Sequence, residues 1–326
     1  MLPVDEFGLI ERLFAPLAKG FPGALDLKDD AALVAPSPGC SIVVTADALV
    51  AGEHFLPTDP PDAIARKAVR TNISDLAAMG AKPLALMLTI AIPRDITMAW
   101  LDGFAAGLKM DIEEFGVALI GGDTVATAGP MALSITAMGE AEPARTLRRS
   151  NARSGDVIWV SGSIGDGALG LFVELGQGAG IDPALSAFLL DRYRLPRPRV
   201  ALGRALPGLA HAAMDISDGL VGDLGHICDV SGVGAVIEAN DVPLSAAARA
   251  AISAGWGKGL ETALTGGDDY ELLFTAPESA TEALRVLSGR LALPLTPIGR
   301  IVAGKGVCVM HEGQRLTIDR GGHRHF

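Results

Sequence analysis

The sequence predicts an α/β (α+β) protein of two domains, and three observations predict it. The chain has 326 residues, and at about 150 residues per domain that length divides into two. Short β-type runs alternate with segments of helical periodicity along its whole length. The alternation breaks once, over the polar stretch Glu140–Gly155, which places a boundary near residue 145 and gives domains 1–145 and 146–326. Hydrophobic residues make up 49% and charged residues 20%, a globular composition that excludes disordered and fibrous chains.

The elements follow in order. Ser41–Ala46 (SIVVTA) reads as a strand, and Pro61–Gly80 carries helical spacing through Ile64, Ala65, Ala68, Val69, Leu76 and Ala77. Leu84–Ile92 reads as a buried strand, Met98–Phe115 as a helix, and Val117–Ile120 and Met131–Gly139 as strands. In the second half Asp156–Val160 is a strand and Ile164–Leu175 a helix. Helices at Leu185–Tyr193 and Val200–Ala210 are kept apart by LPRPR, which no helix crosses. Met214–Ile216, Ala235–Glu238 and Tyr270–Thr275 are strands, while Gly219–Val230, Leu244–Ala254 and Glu278–Gly289 are helices. Strands at Pro297–Val302, Val307–His311 and Arg315–Ile318 close the chain, the first two joined by a hairpin turn at AGKG.

Charge and cysteine content narrow the function. With 27 Lys+Arg against 38 Asp+Glu the formal charge is −11, which argues against a nucleic-acid partner because phosphate backbones require a basic face. Cys40, Cys228 and Cys308 are too few and too far apart for a disulfide framework or a zinc site. The N-terminus carries acids where a signal peptide carries basic residues, and no run of 18 apolar residues occurs. The expectation is a cytoplasmic protein with no membrane partner.

Aspartates at strand ends or beside glycines carry the chemical information. They are Asp29 and Asp30 before AALVA, Asp47 after SIVVTA, Asp75 in NISDLAAMG, Asp123 in ALIGGDT, Asp215 and Asp218 in MDISDGL, and Asp268 and Asp269 in TGGDDYELLF. Singly, such aspartates cap helices and make turns, and Asp62 and Asp218 read as caps. As a set at the carboxyl ends of strands they converge on the edge where α/β folds bind ligands. Clustered carboxylates repel one another unless cations neutralise them, and oxygen-only donors point to Mg²⁺ with substrate phosphates. Standard nucleotide motifs are missing: GRIVAGKG is one residue short of a Walker A and runs on into a strand, and SGSIGDGALG lacks the GxGxxG spacing, although its amides offer a place for a phosphate. No Ser, Cys or His stands in a nucleophile setting. The pair His323 and His325 in the C-terminal tail has no metal-site spacing.

Six ordered blocks carry a resemblance: TADALVAGEHF, NISDLAAMGAKP, LIGGDT, RRSNARSGD, MDISDGLVGDLGHI and GGDDYELLFT. In this order they resemble the thiamine-monophosphate kinases of the aminoimidazole-ribotide synthetase (PurM-like) superfamily, over nearly the whole chain. The resemblance implies ATP-dependent phosphorylation of thiamine monophosphate to thiamine diphosphate. It implies two α/β domains of PurM-like type, the N-terminal one pairing with its twin into a dimeric β-barrel, so that the partner is a second copy of the chain, with the active site in the cleft between domains. By motif position, Asp30, Thr45, Asp47, Asp75, Asp123, Asp215 and Asp218 fall where the family coordinates several Mg²⁺ ions, as does Ala46, through its backbone alone. Gly122, Asp123, Arg149 and Ser217 fall at ATP contacts, and His54 and Asp268 at contacts to thiamine phosphate. Three positions differ from the family pattern. Lys28 replaces the glycine of its first acidic block, Asp268 replaces a glutamate, and His323 replaces the aromatic ring that stacks on the substrate near the C-terminus. The alternatives are another ATP-dependent synthetase of the superfamily, such as selenophosphate synthetase or the hydrogenase-maturation dehydratase, or a non-catalytic nucleotide-binding regulator. The synthetases use a reactive Cys near one terminus, whereas this chain has none before Cys40 and ends in Phe326.

Overall fold

The structure is a computed structural model that describes residues 6–318 and 321–322, with the side chains from Phe7 onward. Two compact units form, one through Leu76 with Ala81–Ala144, the other of Ala77–Gly80 with the chain from Arg145 onward.

The first unit opens with a helical turn, α1 (Glu6–Leu9), and short 3-10 and π segments whose Leu13, Phe14 and Leu17 are buried. Its sheet holds β1 (Ser41–Val50), β2 (Lys82–Pro93), β3 (Ala118–Thr127) and β4 (Ala132–Ala141) in the order β1-β4-β2-β3. In the central strand β4, Leu133, Ile135 and Ala137 are buried while their neighbours Ser134 and Thr136 are half-exposed, the period of two that a one-sided strand demands. Helix α2 (Pro61–Ala78) starts on a proline, whose missing N–H has no intrahelical acceptor there. Helix α3 (Met98–Phe115) is capped by Thr97, which accepts the Trp100 N–H at 3.2 Å, and stops at Gly116 in the left-handed region, φ 63°. The two helices cross closely: a Cβ on Gly107 would lie 2.4 Å from the Asp62 carbonyl oxygen. Arg70 binds Asp111 bidentately at the same crossing.

The second unit contains α4 (Asp166–Glu174), α5 (Pro183–Arg194), α6 (Val200–Ala205), α7 (Leu220–Ser231), α8 (Ala246–Ser253), α9 (Leu260–Thr265) and α10 (Thr281–Leu291). Its strands are β5 (Val157–Ser161), β6 (Ala212–Asp215), β7 (Gly234–Glu238), β8 (Leu272–Ala276), β9 (Leu295–Val302), β10 (Gly306–His311) and β11 (Gln314–Arg315). They form one mixed sheet in the order β11-β10-β7-β9-β5-β8-β6, covered on both faces. Ile158, Val160, Met214 and Leu273 pack with Leu224 and Ile227 of α7. The alternate residues Trp159, Ala213, Leu272 and Phe274 pack with Leu202 and Leu206 near α6 and with Leu284 and Leu287 of α10.

Several expectations are corrected. β1 and β3 run on past the glycines and aspartates, so Asp47 and Asp123 sit inside strands rather than at their ends. β9 and β10 do not form a hairpin: β7 lies between them, antiparallel to β9 and parallel to β10. The last predicted strand shrinks to Gln314–Arg315. Asp62 lies within the first turn of α2, and the residue before α7 is Gly219, so neither Asp62 nor Asp218 supplies a cap. Among the described residues neither sheet closes on itself, β1 and β3 being open edges, and no helix is long and apolar enough to cross a membrane.

Candidate functional site

In the first unit the site grows from β1 and the face of α2 turned toward it. Thr45 and Asp47, two apart on β1, project to one side of the sheet, with Ala46 to the other. Thr45 Oγ1 donates to Asp75 Oδ2 at 2.5 Å, and the Asp47 amide donates to Asn72 Oδ1 at 3.1 Å. Asn72 and Asp75 are three apart on α2, hence neighbours on one helix face. Thr45, Asp47 and Asp75 therefore come together as a half-buried, oxygen-only donor group. β1 ends at a turn in which the Val50 amide donates to His54 Nδ1 at 3.2 Å, so the proton of the neutral ring sits on Nε2. The buried Lys67 ammonium donates to the His54 carbonyl at 3.1 Å and anchors that turn.

Gly122 and Asp123 are exposed on β3. Gly122 has φ 147°, and a Cβ there would lie 1.8 Å from the Leu88 carbonyl oxygen, so only glycine brings the two strands this close. Asp123 accepts the Thr124 amide at 2.8 Å. Within one chain Asp123 is not brought beside Asp47, because β4 and β2 lie between their strands, a span of roughly 14 Å at the usual strand spacing. Asp30 lies on an exposed segment, its amide donating to Asp29 Oδ1 at 3.3 Å.

In the second unit the strand ends supply the site. Asp215 closes β6 and is buried, and Ser217 and Asp218 follow in the loop to α7. Asp223, in the first turn of α7, pins that loop, with Oδ2 accepting the amides of Ser217, Asp218 and Gly219 at 3.1 Å each. Burial, with the charge of Asp218 adding to it, pushes the Asp223 carboxyl up to about 7 against the pull of those amides. Asp218, Asp223 and His226 each place a ligand atom within 4.8 Å of the others, a group able to hold a cation. Asp218 and His226 border a cavity of about 900 Å³ lined also by Gly222, Val309, Arg315 and Ile318.

The GGDDYEL segment lies against the same loop, since the Asp268 amide donates to the Ser217 carbonyl at 2.9 Å and the Tyr270 amide to that of Ile216 at 2.8 Å. Asp268 is half-buried with φ 69°. Its neighbour Asp269 is fully buried and accepts the amides of Gly165 at 2.7 Å and Gly167 at 3.0 Å. Burial raises the Asp269 carboxyl well above the carboxylate range. Those amides, offered by the sequence as a phosphate site, are thus taken by the protein's own Asp269 carboxyl. Arg149 is exposed on a 3-10 turn held to the end of α7 by the Ser231 hydroxyl, which donates to its carbonyl at 2.8 Å. His323 lies outside the described residues.

Asn72, Lys67 and Asp223 escape the sequence reading, which names Asp269 without separating its role from that of Asp268. Only Asp223 carries a local signal, an acid in the first turn of a helix preceded by a glycine.

Residues 28–141 match the family AIR synthase related protein, N-terminal domain, and residues 153–312 its C-terminal domain. Thiamine-monophosphate kinase of Caulobacter vibrioides is 41% identical over 99% of this chain and 91% of its own length. The crystal structure of thiamine-monophosphate kinase from Stenotrophomonas maltophilia, also 41% identical, superposes with a TM-score of 0.84 over 96% of this chain and 98% of that one. AaThiL complexed with AMPPCP and TMP is 32% identical, with a TM-score of 0.79 over 98% and 97% of the two chains. The chain belongs to the thiamine-monophosphate kinase family.

Proposed function

We propose that this chain transfers the γ-phosphoryl group of ATP to thiamine monophosphate, giving thiamine diphosphate. The observation that carries the proposal is 41% identity to such a kinase over 99% of the chain, together with an oxygen-only donor group at Thr45, Asp47 and Asp75. Such donors suit a hard divalent cation. The residues to hold Mg²⁺ are Asp30, Thr45, Asp47, Asp75 and Asp123 with the Ala46 carbonyl in the first unit, and Asp215 and Asp218 in the second. When bound, Mg²⁺ supplies the positive charge that lets two polyanions approach in a protein of charge −11.

The chain's own groups position the reactants. Gly122, Asp123, Arg149 and Ser217 face ATP, and the Arg149 guanidinium offers a planar fork for phosphate oxygens. His54, Asp268 and His323 face thiamine monophosphate, with Asp268 opposite its cationic ring. The acceptor phosphate has a second pKa near 6 and is ionised at pH 7, so attack requires no general base and the chain supplies alignment. Domains 1–145 and 146–326 divide these roles, the first also carrying dimerisation, in a cytoplasmic enzyme.

We also propose that β1 and β3 pair with those of a second copy to close an eight-stranded barrel. Both are ten-residue edges, and each exposes a valine, Val44 at 58% and Val125 at 46%. Open apolar edges of that length are templates for another strand. Such pairing carries Asp123 of the partner subunit toward β1, where Thr45 and Asp47 stand. The direct-transfer reading is tested by incubating enzyme with γ-labelled ATP and thiamine monophosphate and quenching in acid. Label in the terminal phosphate of thiamine diphosphate with none on the protein supports it. Acid-stable label on the protein that chases into product refutes it.

A further inference from the structure

Two neighbouring aspartates in GGDDYEL have opposite surroundings. Asp268 is half-buried and Asp269 is fully buried, and the residues on either side of Asp269 lie in the left-handed region, Asp268 at φ 69° and Tyr270 at φ 50°. Non-glycine residues hold that conformation only where the surroundings impose it. The surroundings here are specific. Asp269 docks both carboxyl oxygens at the N-terminus of α4, accepting the amide of Gly165 just before the helix at 2.7 Å and that of Gly167 at 3.0 Å. Arg192 Nη2 donates to the Asp269 carbonyl at 3.2 Å and to Glu271 at 3.0 Å. A Cβ on Gly167 would lie 2.2 Å from the Asp268 carbonyl oxygen, so the first turn of α4 rests directly against the Asp268 backbone.

We propose that Asp269 is a positioning residue: by filling the N-terminus of α4 it fixes the backbone of Asp268 in the conformation that presents the Asp268 carboxylate to the cationic ring of thiamine monophosphate. The proposal rests on the reading of Asp268 as a substrate contact. Asp269 itself is fully buried and does not meet the substrate. The Ser217–Gly219 loop touches this segment through the Asp268 amide on the Ser217 carbonyl, but its own three amides are held by Asp223, so the ATP side moves less.

The test compares Asp269→Asn, Arg192→Lys and Asp268→Ala with the full-length wild type, measuring KM for thiamine monophosphate, KM for ATP, kcat and the thermal midpoint. Asn matches Asp in size but turns an N–H₂ toward one of the two amides that need an acceptor. Asp269→Asn is expected to raise KM for thiamine monophosphate at least tenfold while KM for ATP moves less than twofold, matching Asp268→Ala. Because KM does not depend on the concentration of active enzyme, a partly folded preparation still reports it. Arg192→Lys, which loosens the same segment from its other side, repeats the pattern more weakly and serves if Asp269→Asn is insoluble. An effect of Asp268→Ala with none from Asp269→Asn or Arg192→Lys beyond a lower thermal midpoint overturns the positioning role alone. No effect from Asp268→Ala overturns the substrate reading and the proposal with it.

Discussion

Asp223→Asn separates the ionisation of a buried carboxyl from its hydrogen bonds. The Asn carbonyl oxygen can accept the same three amides that Asp223 Oδ2 accepts at 3.1 Å. What the substitution removes is the cost of charging a group that is 1% exposed and faces Asp218. In the unfolded chain the carboxyl loses its proton near 3.8, whereas in the fold it keeps it up to about 7. Between those values the unfolded state binds fewer protons than the folded one, so the wild type loses stability as pH rises. The contribution is complete below about pH 4 and gone above about pH 7, with a slope of about 1.4 kcal/mol per pH unit and a ceiling of about 4 kcal/mol. The variant lacks this loss, and other titrating groups cancel in the difference between the two proteins. Urea unfolding of both at pH 5, 6, 7 and 8, with EDTA and constant ionic strength, measures that difference. It should move in favour of the variant from pH 5 to 7 and then level off. A difference that stays constant from pH 5 to 8 refutes the reasoning.

Gly122→Ala forces a Cβ against the Leu88 carbonyl and a side chain onto φ 147°, and it should cost about 2–5 kcal/mol from overpacking and backbone strain together. A loss under about 0.5 kcal/mol on chemical denaturation contradicts the β2–β3 packing described above. Val44→Lys with Val125→Lys places a charge on each open edge, and sedimentation should show the assembly of the wild type replaced by monomer with kinase activity lost. A wild type that sediments as a monomer, or a double variant that still dimerises, removes the barrel proposal.

Long periodic segments were legible in the sequence: helix Met98–Phe115 is bounded as its apolar spacing requires, by a threonine cap and a terminal glycine. Strand ends were not, because GGDT and TAD contain residues that stop most strands. In β3 Gly122 instead permits a close strand approach. The hairpin expected at AGKG failed for a non-local reason, since β7, some seventy residues earlier in the chain, inserts between β9 and β10. At the site, residue types announced the aspartates but not their division of labour. A period of two would set Asp268 and Asp269 on opposite faces with equal claim to either. The positive φ values at 268 and 270 and the amides of α4 decide which is buried, and neither is written in the local sequence.

The central claim is tested most directly by incubating the purified protein with ATP, thiamine monophosphate and Mg²⁺ and following thiamine diphosphate by chromatography, with Asp47→Asn alongside. The account predicts one thiamine diphosphate formed for each ATP consumed by the wild type and almost none by the variant. ATP bound or hydrolysed without thiamine diphosphate, or full activity in Asp47→Asn, contradicts it.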